Sequence, residues 1–125
     1  MESLEQAVEA LEQGRYTEAA AGFDRLLSRQ PSGKLHFQRA RAAMFLGDVE
    51  VAARHLSQVL EQSPDHHAAR EMRAESWIIQ ERYRSALEDY RILDEHQMLG
   101  AHQLVRVLRC WSLVCLLYTS DAADD

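Results

Sequence analysis

The chain has 125 residues, with 14 Lys and Arg against 20 Asp and Glu and a net charge of −6. Phosphate binding needs clustered cations, so nucleic acid is not expected as a ligand. Three of the acids, Asp121, Asp124 and Asp125, lie in the last five residues, so acidity alone says little about a partner. Two cysteines, Cys110 and Cys115, are too few for a disulfide scaffold, and their C-x4-C spacing fits neither a redox nor a zinc motif. The longest apolar run, "CWSLVCLLY", falls well short of the roughly 18 residues a membrane span needs, and no basic-then-apolar leader follows Met1. No membrane partner and a cytoplasmic location are expected. Ala, Leu, Glu, Gln and Arg dominate and Pro and Gly are scarce, which favours an all-α chain.

Taken in order, the first helix is predicted near 3–13. Ser3 and Gln6 have capping-box spacing, and apolar residues recur every three or four positions from Leu4 to Leu11. Gly14 marks a turn, and a second amphipathic helix follows near 17–29, closed by Pro31. Ser32 is placed to cap a third helix near 34–46, whose apolar face runs from Phe37 to Leu46. Gly47 stops it, and Asp48 is positioned as N-cap for a fourth near 49–62. After Pro64, Asp65 is the expected cap of a fifth helix near 66–80. A sixth is predicted near 84–96 and a seventh near 101–114.

The order hides a repetition. "GRYTEAAAGFDRLLSRQP" (14–31) aligns without a gap on "GDVEVAARHLSQVLEQSP" (47–64), Gly on Gly, Ala19 on Ala52, Phe23 on Leu56 and Pro on Pro. A third copy, "ERYRSALEDYRILDEHQM" (81–98), keeps Tyr83, Ala86, Tyr90 and Leu93 but has neither the Gly nor the Pro. Trp77 and Trp111 stand 34 residues apart in the same register. One such hairpin cannot cover its own apolar stripe, so neighbours must stack to build a core. The small residues Ala19, Ala52 and Ala86 would sit at close helix crossings, with Phe23, Leu56 and Tyr90 filling the gaps and Trp77 and Trp111 packed in the core.

The residues offer little chemistry. There is no phosphate-cradling Gly loop, H-E-x-x-H or nucleophile elbow, so neither an enzyme nor a cofactor is expected. The six histidines are scattered, and the adjacent His66 and His67 read as a solvated helix start rather than metal ligands. Glu71 and Glu75, one turn apart, would need burial to act as an acid–base pair; a charged surface is the simpler reading. Cys110 reads as a buried thiol.

The pattern G-x-Y-x-x-A-x-x-x-F with a closing Pro, repeated at 33–34 residues, resembles the tetratricopeptide repeat over residues 1–114. The resemblance implies an all-α solenoid of tandem antiparallel hairpins coiling right-handedly, with repeats at about 1–32, 33–66 and 67–100 and a partial fourth at 101–114. It also implies a concave groove lined by the first helix of each repeat, acting as a scaffold that binds a peptide or partner protein. Carried over by register, the groove would be built from Leu4, Val8, Lys34, Phe37, Arg41, Phe45, Glu71, Glu75 and Ile79, apolar at one end and acidic at the other. Members that hold the acidic tails of heat-shock chaperones use a clamp of Lys, Asn and Arg on these helices. Here Leu4, Val8, Glu71 and Glu75 occupy comparable sites, which speaks against that specialised role. Two rivals stand beside this reading. One is the N-terminal regulatory region of a longer, truncated enzyme or signalling protein such as a glycosyltransferase; the other is a secretion chaperone.

The end of the chain departs from the repeat. The turn due near residue 115 is missing, and "CLLYTSDAADD" (115–125) resembles the translation of a transposon end used to prepare sequencing libraries. Residues 115–125 are accordingly expected to be a non-native tail, with Leu116, Leu117 and Tyr118 extending the last helix and Ser120–Asp125 fraying.

Overall fold

The computed structural model describes residues 3–124. Its described residues contain seven helices and no strand: α1 (Leu4–Glu12), α2 (Tyr16–Arg29), α3 (Gly33–Leu46), α4 (Val49–Gln62), α5 (His67–Ile79), α6 (Tyr83–Glu95) and α7 (Ala101–Asp124). Every predicted helix is present, and all starts lie within a residue of expectation. Each helix packs on the next, and α1 also touches α3, as in a stack of antiparallel hairpins. The fold is an all-α helical-repeat solenoid.

The turns inside the hairpins are built alike. After α1, the Gly14 and Arg15 amides donate to the Leu11 and Ala10 carbonyls; after α3, Gly47 and Asp48 donate to Met44 and Ala43. This double closure needs a left-handed residue, and Gly14 and Gly47 supply it at φ +82° and +81°. The third turn makes the same bonds, Glu81 to Ile78 and Arg82 to Trp77, with Glu81 at φ 61°. Repeat three thus keeps the turn without its glycine, at a cost of about 1–2 kcal/mol in backbone strain.

Caps follow the sequence in part. Ser3 and Gln6 form a reciprocal capping box, and Ser32 accepts from the Leu35 amide. Asp48 occupies the N-cap of α4 but makes no side-chain bond there. At α5 the expected cap is corrected: His66, not Asp65, is the N-cap, and its Nδ1 accepts from the Ala69 amide at 3.1 Å. A turn after Pro64 consumes one residue more than a simple count allows, with His66 N donating to Ser63 O.

Packing follows the repeat. Three clusters run along the stack, centred on Phe23, Leu56 and Tyr90. Ala19, Ala52 and Ala86 are each fully enclosed, so the helix backbones meet with nothing larger than a methyl between them. Trp77 is half-buried in the third cluster as expected. Trp111 is not in the core; it is 56% exposed. Trp77 is covered because α6 follows it, and no described helix does the same for Trp111.

The seventh helix also outruns its expected end. Beyond 114 it runs through Leu116, Leu117 and Tyr118 as expected of an apolar extension, but it continues through Asp124, so the Ser120–Asp124 backbone is helical rather than frayed. No Gly or Pro interrupts residues 101–124, so nothing in the local sequence breaks the hydrogen-bond ladder.

Candidate functional site

The first helices of the three complete hairpins, α1, α3 and α5, carry the predicted groove residues, and α7 stands next in that series. Leu4 and Val8 are half-buried on the edge of the first cluster, where α1 meets α2 and α3. They form apolar floor rather than free side chains. Lys34 is exposed at the start of α3. One turn on, Phe37 is half-buried against the second cluster, its ring 4.7 Å from that of His66 on the next hairpin. Arg41 is half-buried, with Nη1 donating to Gln38 Oε1 at 2.8 Å. Phe45 is 56% exposed but not loose: its ring lies parallel on Tyr16 of α2 at 4.7 Å.

The far end differs from its expected character. Glu71 accepts from Gln103 Nε2 at 2.9 Å and lies 3.9 Å from His102 Nε2. Glu75 accepts from Arg106 Nη1 at 2.6 Å, and that carboxylate holds the Arg106 guanidinium above its ordinary pKa. The two carboxylates are therefore engaged by α7, Glu75 by the Arg106 cation and Glu71 by the neutral Gln103 amide. Neither is buried enough to act as an acid–base pair.

Glu75 and Ile79 meet Arg106, Arg109, Cys110 and Leu113 around a cleft of about 430 Å³ between α5 and α7. Ile79, 61% exposed, lines it. Cys110 behaves as a small hydrophobe: it is 1% exposed, and burial pushes its thiol pKa up. The cleft therefore offers apolar surface flanked by the Glu75–Arg106 pair, Arg109 and Glu81, with no nucleophile poised for reaction. No group of three or more metal-ligating side chains occurs among the described residues.

Arg109 and Leu113 were legible in principle. They stand 34 residues after Glu75 and Ile79, and carrying the register one repeat further would have included them. Arg106 was not legible this way, because it reaches across to a neighbouring helix and is not the register partner of Glu75. The histidine pair at the start of α5 also differs from expectation. His66 packs on Phe37 and His67 meets His96 edge-on at 5.2 Å, so both rings are packed between elements rather than solvated.

Comparison with known proteins fits this geometry. The tetratricopeptide repeat profile matches residues 4–43 and 37–96. The DnaJ homolog subfamily C member 3 of Mus musculus is 33% identical over 98 residues, covering 74% of this chain and 19% of the relative. The Homo sapiens protein of the same name gives the same identity and coverage. The chain thus spans about a fifth of the length of these relatives. Among solved structures, the first TPR of Spaghetti (RPAP3) bound to HSP90 peptide SRMEEVD superposes with a TM-score of 0.80 at 18% identity, covering 89% of each chain. At that identity the likeness establishes fold alone. With the repeat profile spanning most of the chain and seven helices stacked as hairpins, the chain belongs to the tetratricopeptide-repeat family.

Proposed function

We propose that this chain is a protein–protein interaction scaffold, non-enzymatic, that binds an extended peptide or partner segment along the face formed by α1, α3, α5 and α7. The observation that carries this reading is the cleft between α5 and α7, where exposed Ile79 lies beside the Glu75–Arg106 pair and Arg109. Such a surface can seat an apolar side chain and orient a polar backbone or charged group next to it. The solved neighbour holds an acidic peptide. In this chain Leu4, Val8, Glu71 and Glu75 stand on the corresponding helices, which favours a ligand recognised through apolar anchors rather than through a string of carboxylates.

The test uses peptides selected from a displayed random library on the full chain. Phe37→Ala with Arg41→Ala, and separately Ile79→Ala with Arg109→Ala in the cleft, should each weaken the selected peptides at least tenfold while leaving the helical circular-dichroism signal intact. Retention at wild-type strength would move the site off this face. A second reading is favoured by the 19% coverage of the relatives: the module is one region of a longer regulator or enzyme. Amplification of the source gene across codon 114 tests it; an intact gene ending in the same eleven codons would refute it, together with the proposed non-native tail at 115–125.

A further inference from the structure

Asp24 of α2 and Ser57 of α4 share one register position, and each meets an arginine of the helix that follows. Asp24 Oδ1 accepts from Arg39 Nε at 2.9 Å. Ser57 Oγ accepts from Arg73 Nη1 at 3.2 Å. The carboxylate of one repeat is thus a hydroxyl in the next, while the cation is kept. Having accepted from Arg73, that hydroxyl still has its own proton to donate, and no acceptor takes it among the described residues. Arg73 shares the Asp89 carboxylate with Arg70, whose Nε is buried with no acceptor among the described residues. The interior beneath Ser57 is short of anions.

Ser57 opens onto a cleft of about 640 Å³ formed by α4, the end of α5 and the turn beyond it. Arg54 and Arg82, both exposed, line it with Gln58, Gln80 and one acid, Glu50. Glu50 stands one turn before Arg54, yet neither Arg54 nor Arg82 forms an ion pair among the described residues. Arg82 lies instead over the Trp77 ring, 5.7 Å from its centroid. Glu81, its neighbour in the chain, lines two other clefts and not this one. Around and beneath the cleft, Arg54, Arg70, Arg73 and Arg82 therefore face only Glu50 and Asp89. Stacking does not require this surplus. One repeat earlier the residues matching Arg54, Ser57 and Arg82 are Ala21, Asp24 and Asp48, and the charge has the opposite sign.

We propose that this cleft receives a phosphate monoester, the phosphoseryl or phosphothreonyl side chain of a partner protein. Arg54 and Arg82 supply charged donors and the Ser57 hydroxyl a neutral one, so the phosphate takes the place that the Asp24 carboxylate fills one repeat earlier. A dianion matches the cation surplus, and its three terminal oxygens can accept from both arginines and the hydroxyl together. A carboxylate brings half the charge and one oxygen fewer, which makes it the poorer ligand. The cleft also follows α4 for two turns, from Glu50 to Gln58, so the peptide flanking the phosphate has surface to lie on. No residue of the cleft between α5 and α7 lines this one, and the site does not depend on a ligand there.

The experiment titrates the full chain into labelled peptide pools with degenerate flanks around a fixed central phosphoserine, serine or glutamate, read by fluorescence anisotropy. The phosphoserine pool is expected to bind at least tenfold more tightly than either of the others. Arg54→Gln with Arg82→Gln, both at exposed positions, should lose at least tenfold of that binding. Ser57→Asp should lose as much, because it restores the internal carboxylate that Arg39 has in Asp24. Circular dichroism checks that both variants remain folded, and Ser57→Ala, which adds no charge, should bind more tightly than Ser57→Asp. No binding of the phosphoserine pool, equal binding of the glutamate pool, or full retention in folded variants overturns the proposal. So does a loss that follows Ile79→Ala with Arg109→Ala instead, which would put the phosphate in the cleft between α5 and α7. Inorganic phosphate that binds as tightly as the phosphoserine pool also overturns it, in favour of a site for the free ion.

Discussion

Asp89 is the most exposing place to perturb this fold. Its carboxylate is 2% exposed and receives four hydrogen bonds from Arg70, Arg73 and Trp77. Arg70 is itself only 9% exposed at the side chain, and its second nitrogen is tied to the Pro64 carbonyl at 2.9 Å, so it cannot swing out to water. Arg73, at 20%, has more freedom. Asp89→Leu therefore strands one buried guanidinium fully and a second in part. Breaking a buried pair from one side costs about 3–5 kcal/mol, and partial escape of Arg73 sets the expected loss near the lower end, about 3. Replacing the whole set tells a different story. Asp89→Leu combined with Arg70→Leu and Arg73→Val replaces both cations and the acid by hydrocarbon, leaving the Trp77 N–H without its acceptor, while the exposed Pro64 carbonyl and the part-exposed Ser57 hydroxyl turn to water. That orphan costs about 1 kcal/mol, while removing the buried charges returns a similar amount or more, so the triple variant should lie within about 1 kcal/mol of the parent. Urea unfolding followed by circular dichroism measures both. A single variant that loses less than about 1 kcal/mol, or a triple variant no more stable than the single, refutes the claim that Asp89 serves to neutralise two cations.

Three further outcomes are expected. Glu81→Gly should stabilise by about 0.5–1 kcal/mol, the left-handed strain relieved less the entropy glycine adds to the unfolded chain; a loss in denaturant unfolding would contradict the turn geometry. Acid should destabilise the second hairpin, because burial, then Arg39 and His36, lower the His55 pKa from 6.5 to about 4. Above pH 6.5 neither state is protonated and there is no penalty. Between 6.5 and 4 the unfolded chain takes the proton first, so up to about 2 kcal/mol, discounted for its partly solvated ring, is lost as pH falls, and His55→Gln should flatten that slope in thermal melts. Ala52→Phe should cost about 1–3 kcal/mol or more by forcing α3 and α4 apart, and an unchanged midpoint would show the crossing to be looser than its full enclosure implies.

Most of the fold was legible because its determinants are local and repeated. Gly14 and Gly47 mark turns that only a left-handed residue completes, and Ala19, Ala52 and Ala86 recur where backbones touch. What escaped depends on neighbours beyond the local pattern. Trp111 has the register of Trp77 but lacks the helix that buries Trp77, and register cannot report a missing neighbour. Of the proposed groove, the register assigned Phe37, Arg41, Glu75 and Ile79 to the helices now seen as α3 and α5, but not the reach of α7 back to Glu75 through Arg106. Such contacts between first helices depend on how far each hairpin rotates against the last, a quantity no single repeat encodes.

The proposed function places ligands along the face shared by α1, α3, α5 and α7. Amide chemical-shift mapping of the full chain against a library-selected peptide tests it most directly. The shifts are expected to fall on those four helices and to concentrate around Phe45, Ile79 and Arg109. Shifts confined to α2, α4 and α6, with the cleft between α5 and α7 silent, would contradict it.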